Sequence, residues 1–403
     1  MSRLTGSDIL GSQRDKLGNA LEDQMRRQLA PDSRKSDRPL RRFSTREVAD
    51  ITLRMNYNTF RHHLKSIEGM PEGELEPGNR RSFSLEEVHE IQRILAKNGK
   101  LPQKSLPWKM DGEQTSVILT YNLKGGVSKT TLAANLAQFL ACRGFRVCLV
   151  DLDPQSSLSD LFDVRADLDD IPSIYDVLKY DTEEEQSLAA AEVLQATYFP
   201  NIDILPGSIS LTEFEYETAQ AAARGVPFFR RLHDKLEPIH FAYDVILFDT
   251  PPHLSFSVIA AIYASTGMLI PLSAGMLDVV SLEKFLDLAS STIESIEGAD
   301  PDKKFDFVRY VLTRYQPSDP AQLQLSSFLR HTLGEAMLAS DMLSSTAIAD
   351  AGNTMNPLLE IDPSEFTRKT YDRIFESLHG IAREVEAEIM VARGRYASIR
   401  EAM

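Results

Sequence analysis

Cysteine is nearly absent from these 403 residues: there are two, Cys142 and Cys148. One falls in an expected helix and the other in an expected buried strand. Neither a disulfide framework nor a metal knuckle is available, and the chain reads as one made for a reducing compartment. The first 30 residues lack the apolar core of a signal peptide, their Leu and Met being interleaved with Arg, Asp and Glu, so secretion is not expected. No internal repeat and no low-complexity tract is visible. Charge is missing from residues 254–277, a length that suits a membrane span of ~20 residues. Gly267, Pro271 and Gly275 punctuate this run. A buried helix over 255–265 followed by an interior strand over 268–270 accounts for the same residues.

What is present is ordinary in bulk: 42% hydrophobic residues, and length enough for two or three domains. The net charge of −15 hides a split. Residues 1–110 carry 21 Lys/Arg against 15 Asp/Glu, and the remainder 23 against 44. A basic N-terminal quarter precedes an acidic body.

Leu10, Leu17, Leu21, Met25 and Leu29 stand at helical spacing among charges, predicting an amphipathic helix that packs on its own chain or forms a dimer contact. A polar stretch with two prolines, 31–39, reads as a linker, so residues 1–40 form a first segment. In residues 41–107, Ser44 with Glu47 opens a short helix, and residues 56–64 form a second after a turn. A hairpin ending in Arg80 and Arg81 follows, and Ser84 caps a third helix. Helix, turn, helix, wing, helix is the order of a winged DNA reader similar to the regulators of the MerR family. On that reading Asn58, Thr59, Arg61 and His62 of the second helix face base edges and Arg80 and Arg81 meet phosphates. A basic helical cap with solvated arginines is the plainer alternative. Residues 101–107 form a short joint to the body.

From residue 115 the pattern becomes α/β. Apolar runs at 117–120, 147–150, 202–205, 245–248, 268–270 and 307–312 alternate with helix-length stretches, as strands buried on both faces of a mostly parallel sheet should. The first run feeds Lys124-Gly125-Gly126-Val127-Ser128-Lys129-Thr130-Thr131 and then a helix. Glycines let the backbone wrap phosphates, the helix N-terminus faces them, and Lys129 neutralises β/γ oxygens. Thr130 is placed to hold Mg²⁺ and Thr131 to reach the α-phosphate. Asp249, closing the 245–248 run before Thr250-Pro251-Pro252, supplies the second carboxylate for the metal, and Asp151 and Asp153 supply two more acids within reach of the γ-phosphate.

Three blocks in this order, KGGVSKTT, LVDLDPQSS and ILFDTPP, resemble the ParA/MinD branch of P-loop ATPases with the deviant Walker motif, over residues 115–390. With the winged module in front, the layout is similar to the larger plasmid-type ParA partition proteins, in particular the RepA proteins of repABC plasmids. The resemblance implies ATP/ADP and Mg²⁺ as ligands and a nucleotide-sandwich homodimer in which Lys124 reaches the phosphates held by the other subunit. It implies that Lys129 and Thr130 hold phosphate and metal, that Asp249 is a second-sphere metal acid, and that Asp153 positions the attacking water with Asp151 in support. Thr313, Arg314, Asn353 and Pro357 match its adenine side. Ser128 departs from the commonest pattern, which has Gly there. A basic strip for non-specific DNA is matched by Arg368, Lys369 and Arg373 on a helix over 364–393. The resemblance further implies a ParB-type centromere-binding partner that stimulates slow hydrolysis, and a bacterial, cytoplasmic, nucleoid-associated location. The winged module would repress its own operon.

A metabolic P-loop ligase or amidase of the same superfamily is the competing reading, disfavoured by the basic module in front. An iron–sulfur reductase would need cysteines after the second-carboxylate strand, and both cysteines precede it. A membrane-recruited positioner would need an amphipathic tail, whereas residues 392–403 carry three arginines and little apolar face.

Overall fold

The computed structural model describes residue 16 and residues 40–403, apart from 77, 79, 184, 345–356 and 361–366. Two compact units are separated, Met1–Pro39 and Leu40–Met403. Apart from Lys16, the helix predicted over 10–30 and the linker after it lie outside the described residues.

The second unit begins with strand β1 (Phe43–Ser44). Ser44 accepts a hydrogen bond from the Glu47 amide while Glu47 accepts from the Ser44 amide, a closed capping box over the turn Thr45–Glu47. The helix then widens to π geometry over Val48–Leu53 and stops at Arg54, which takes a left-handed conformation with φ 46°. Asn56 caps helix α1 (Tyr57–Ser66), whose one buried side chain is Phe60. Strands β2 (Glu74–Glu76) and β3 (Arg80–Phe83) make the hairpin, and β1 completes an antiparallel sheet in the order β1-β3-β2. Helix α2 (Leu85–Lys97) starts with a second capping box, Ser84 with Glu87. The element order matches the expectation from sequence.

The body is a seven-stranded sheet. Strands β4 (Ser116–Thr120), β5 (Val147–Asp151), β7 (Ile202–Leu205), β8 (Val245–Asp249), β9 (Gly267–Ser273) and β10 (Phe307–Thr313) run parallel, in the order β10-β9-β4-β8-β5-β7. All six apolar runs read from the sequence are strands. A two-residue antiparallel strand that the sequence did not announce, β6 (Gln195–Ala196), covers the free edge of β7. Helices α3 (Lys129–Arg143), α4 (Leu211–Ala223), α5 (Phe256–Ala264), α6 (Met276–Ala299), α7 (Pro320–Leu333) and α8 (Arg368–Ala392) make up most of the helical residues. The uncharged run 254–277 resolves into α5 and β9. No helix among the described residues is long and apolar enough to cross a membrane.

The joint at 101–107 is fastened rather than loose. Leu101 and Leu106 are buried, the Pro107 carbonyl accepts from Arg393 at 2.7 Å, and the Ser105 and Leu106 carbonyls accept from Arg143 and Arg395. One hydrophobic cluster runs from Ile51, Phe60, Leu85 and Ile91 into Phe139, Leu140 and Phe145 of the body. Helix α8 adds three buried acids with partners. Glu384 accepts from the amides of Ala339 and Ser340, Glu386 joins Arg54 and Arg143, and Glu388 pairs with Arg309.

Candidate nucleotide site and nucleic-acid faces

Parallel strands end together, so the carboxyl edge of the sheet collects what their last residues carry. Register sets Thr120 of β4 and Asp151 of β5 on either side of Asp249 of β8. The phosphate loop leaves β4 and enters α3 here. Asn122 anchors its start, accepting from the Lys124 amide at 3.0 Å while donating to the Pro271 carbonyl at 2.8 Å. Gly126 has φ 75°, a conformation that L side chains resist. Ser128 stands just before α3 at φ 62°, ψ 35°, also left-handed and without a side-chain capping bond, which gives the physical reason a glycine is common at this place in the resembling family.

Thr130 donates its hydroxyl to Asp249 Oδ2 at 2.6 Å, and Thr120 reaches Oδ1 at 3.4 Å. Asp249 is fully buried, and burial raises its affinity for a proton against the pull of Thr130 and the Lys129 ammonium. Lys129 itself is buried, and desolvation lowers its pKa while Asp249 and Asp153 act to raise it. A hydroxyl and a carboxylate beside a buried ammonium, under a loop of backbone amides, form a hard-oxygen donor set suited to Mg²⁺ and a polyphosphate.

Asp151 stands one step behind. Its Oδ1 accepts from the Asp153 amide at 3.2 Å, and its Oδ2 accepts from the amide and hydroxyl of Ser159 at 2.9 and 2.7 Å. Burial, with the Asp249 charge second, raises its pKa. Asp151 thus braces the 153–159 loop, and Asp153 on that loop lies nearer solvent.

Lys124 forms an ion pair with Asp278 in the first turn of α6, with the lysine side chain 37% exposed and the acid 15%. Sequence reasoning missed Asp278, although it is the first charge after the uncharged run 254–277. Thr313 and Arg314 touch the phosphate loop: the buried Thr313 hydroxyl donates to the Val127 carbonyl at 3.0 Å, and Arg314 donates to the Gly126 carbonyl at 3.1 Å. Pro357 is buried beside α3, where the Leu358 amide donates to Asn135 and Asn135 in turn donates to the Thr131 carbonyl. Asn353 lies outside the described residues.

The candidate DNA residues form two further faces. Asn58, Thr59, Arg61 and His62 are exposed on α1, with Arg61 over the Tyr57 ring at 5.6 Å. Arg80 and Arg81 are exposed on the hairpin, opposite Glu76 and Leu75. The acidic partner strand tempers the charge of this wing. Arg368, Lys369 and Arg373 are exposed on α8, and Arg368 lies 3.7 Å from Asp372.

The family model described as AAA domain matches residues 115–299. A protein of Rhizobium rhizogenes named "Putative replication protein A" is 40% identical over 327 residues, 80% of each chain. A protein of the same name from Sinorhizobium fredii is 36% identical over 395 residues, 96% of this chain and 95% of its own. A solved structure titled "Partition Protein" is 20% identical and covers 91% of this chain and 98% of its own at a TM-score of 0.59, a likeness of fold. Together with the phosphate loop, the two acids at neighbouring strand ends and the second lysine, these matches place the chain in the replication protein A group of the ParA/MinD family of P-loop ATPases.

Proposed function

We propose that this protein is a plasmid-segregation ATPase whose ATP-bound form is a homodimer that binds DNA. The observation that carries the reading is the second cation: Lys124 sits at the mouth of a loop whose own phosphate lysine, Lys129, is already in place. A self-sufficient phosphate site has no need of Lys124, whereas a site completed by a neighbouring copy does.

Bound Mg²⁺ and ATP would supply an electrophilic γ-phosphorus. The chain's own residues do the rest. Loop amides and Lys129 hold the phosphates, Thr130 and Asp249 hold the metal and its water shell, and Asp153 orients the attacking water with Asp151 fixing the loop beneath it. Thr313, Arg314 and Pro357 border the base. Lys124, crossing to the other protomer's phosphates, makes ATP the cement of the dimer. Arg368, Lys369 and Arg373 contact DNA without sequence preference. The reader formed by α1 and the hairpin recognises the operator through Asn58, Thr59, Arg61 and His62, with Arg80 and Arg81 on phosphate, and represses the chain's own operon. A centromere-binding protein of the ParB kind stimulates hydrolysis.

The test measures binding to operator and to random DNA without nucleotide, with ADP and with ATP, for wild type and Lys124→Ala. ATP is expected to promote random-DNA binding, and the substitution to abolish this while some operator recognition remains. A variant that hydrolyses ATP and coats random DNA like wild type would overturn the mechanism.

A further inference from the structure

Helix α3 ends against residues 41–107. Thr52 donates its hydroxyl to the Cys142 carbonyl at 2.7 Å, Gln92 donates its amide to the Arg143 carbonyl at 2.9 Å, and His89 Nε2 lies 2.8 Å from the Ala141 carbonyl. The orphan carbonyls of the last turn thus find partners. The charges beside them are less evenly matched. Three arginines from distant parts of the sequence meet here around Glu386 of α8. Arg54, the left-handed residue that stops the π turn, donates to Glu386 Oε2 at 2.6 Å, and Arg143, the last residue of α3, donates from Nε to Oε1 at 3.0 Å. Both oxygens of the carboxylate are engaged. Arg143 is saturated, because its other nitrogens donate to the Thr52 and Ser105 carbonyls. Arg383, one turn before Glu386 on α8, donates to the Met403 carbonyl at 2.9 Å and pairs with no side-chain carboxylate among the described residues. Three guanidinium groups therefore share one side-chain carboxylate, and a terminal charge at Met403 still leaves one cation in excess.

Neighbouring groups feel this excess. Burial lowers the pKa of Arg54, Glu386 acts to raise it, and the Arg143 and Arg383 charges lower it further. Burial, with the Arg54 and Arg383 charges behind it, pushes His379 down to about 4, so its ring adds no charge near neutral pH. Two donors are left over. Arg54 Nε and Arg383 Nε are buried and have no acceptor among the described residues. Both side chains line one cavity, walled also by His379 and by the apolar Ile51, Phe139 and Leu140. Its volume of about 10 Å³ is room for a single water-sized particle, so a phosphate or a nucleotide does not fit. Water fits but brings no charge, whereas a halide ion of similar size accepts from both N–H groups at once and offsets the excess.

We propose that this cavity binds one halide-sized anion, chloride in the first instance, between Arg54, Arg383 and His379, and that the ion fastens residues 41–107 to α3 and α8. Arg54 and Arg383 stand more than 300 residues apart in the chain and are joined by Glu386 on one side; the anion supplies the second bridge. An ion held only by the folded chain stabilises it along a curve that saturates as the site fills, which separates it from the general influence of salt on surface charges.

The experiment follows heat unfolding of the full chain, without nucleotide, in sodium chloride, sodium bromide and sodium gluconate series at matched ionic strength. Wild type is compared with Arg383→Gln and with Arg46→Gln, which removes an equal charge from an exposed position. Chloride and bromide are expected to raise the wild-type midpoint along a hyperbola that gluconate does not reproduce. Arg383→Gln should need at least about 10-fold more chloride for half the effect, while Arg46→Gln follows wild type. Crystals of wild type grown in bromide should show an anomalous peak in the cavity, within hydrogen-bond distance of both Nε atoms, a measurement that stands even where Arg383→Gln does not fold. The proposal is overturned if halide and gluconate shift the midpoint alike, if Arg383→Gln keeps the wild-type half-saturation, or if the bromide crystals hold only a water there.

Discussion

Removing Asp278 should tighten the dimer. Lys124 is held by Asp278 of its own chain, so in the proposed dimer each protomer would have to break this pair before its lysine crosses to a neighbour. Ion pairs open to water contribute about 0.2–1 kcal/mol. Asp278 is largely buried and the lysine only partly exposed, which puts this pair near the upper figure, ~1 kcal/mol. A twofold assembly releases two pairs, about 2 kcal/mol, and at 1.4 kcal/mol per tenfold the dissociation constant of an Asp278→Ala dimer should fall about 30-fold. Sedimentation velocity over a concentration series, with Mg²⁺ and a non-hydrolysable ATP analogue, measures this directly. Asp278→Asn, which keeps shape and loses charge, should behave alike, and adding Lys124→Ala should cancel the gain. Dimers of Asp278→Ala that are no tighter than wild type would refute the idea that the pair holds the lysine back.

Ser128→Gly relieves a left-handed serine that costs about 1–2 kcal/mol, offset by the extra freedom of glycine in the unfolded chain. A net gain of about 0.5–1 kcal/mol in urea unfolding is expected, and Ser128→Val should lose at least as much. Thr130→Val leaves Asp249 Oδ2 without its donor and would remove the proposed metal contact; titration calorimetry should find nucleotide affinity nearly the same with and without Mg²⁺. Burial pushes the His89 pKa down from 6.5 to about 4. The unfolded chain therefore takes up this proton first, so stability is whole above pH 6.5 and is lost as pH falls toward 4, by roughly 3 kcal/mol at 1.36 kcal/mol per unit. His240 and His379, also lowered to about 4, act in the same direction. The urea midpoint of His89→Gln should fall less steeply than that of wild type across this window.

The sheet was legible because each of its parallel strands is an apolar run bounded by helix-length sequence, and the phosphate loop because Lys129, Thr130 and the glycines sit between two such elements. The caps at Ser44 and Ser84 likewise announced their helices. What escaped depends on partners far apart in the chain. Asp278 lies 154 positions from Lys124, and nothing in its neighbours marks it as that lysine's counter-ion. Thr52, His89 and Gln92 look like unremarkable helix residues until the end of α3 meets them. Residues 101–107 read as a joint because side-chain periodicity is silent about carbonyls that accept from Arg143, Arg393 and Arg395. Strand β6 is too short to carry a period, and the π turn at Val48–Leu53 leaves no mark in composition.

The three buried acids of α8 impose an order on synthesis. Arg54 and Arg143 leave the ribosome more than 240 residues before Glu386, and Arg309 some 80 before Glu388. Until then those guanidinium groups lack the carboxylates that pair with them among the described residues. Replacing Glu386 and Glu388 by uncharged residues would therefore strand guanidinium groups at the join of early and late sequence, Arg143 among them almost wholly out of water.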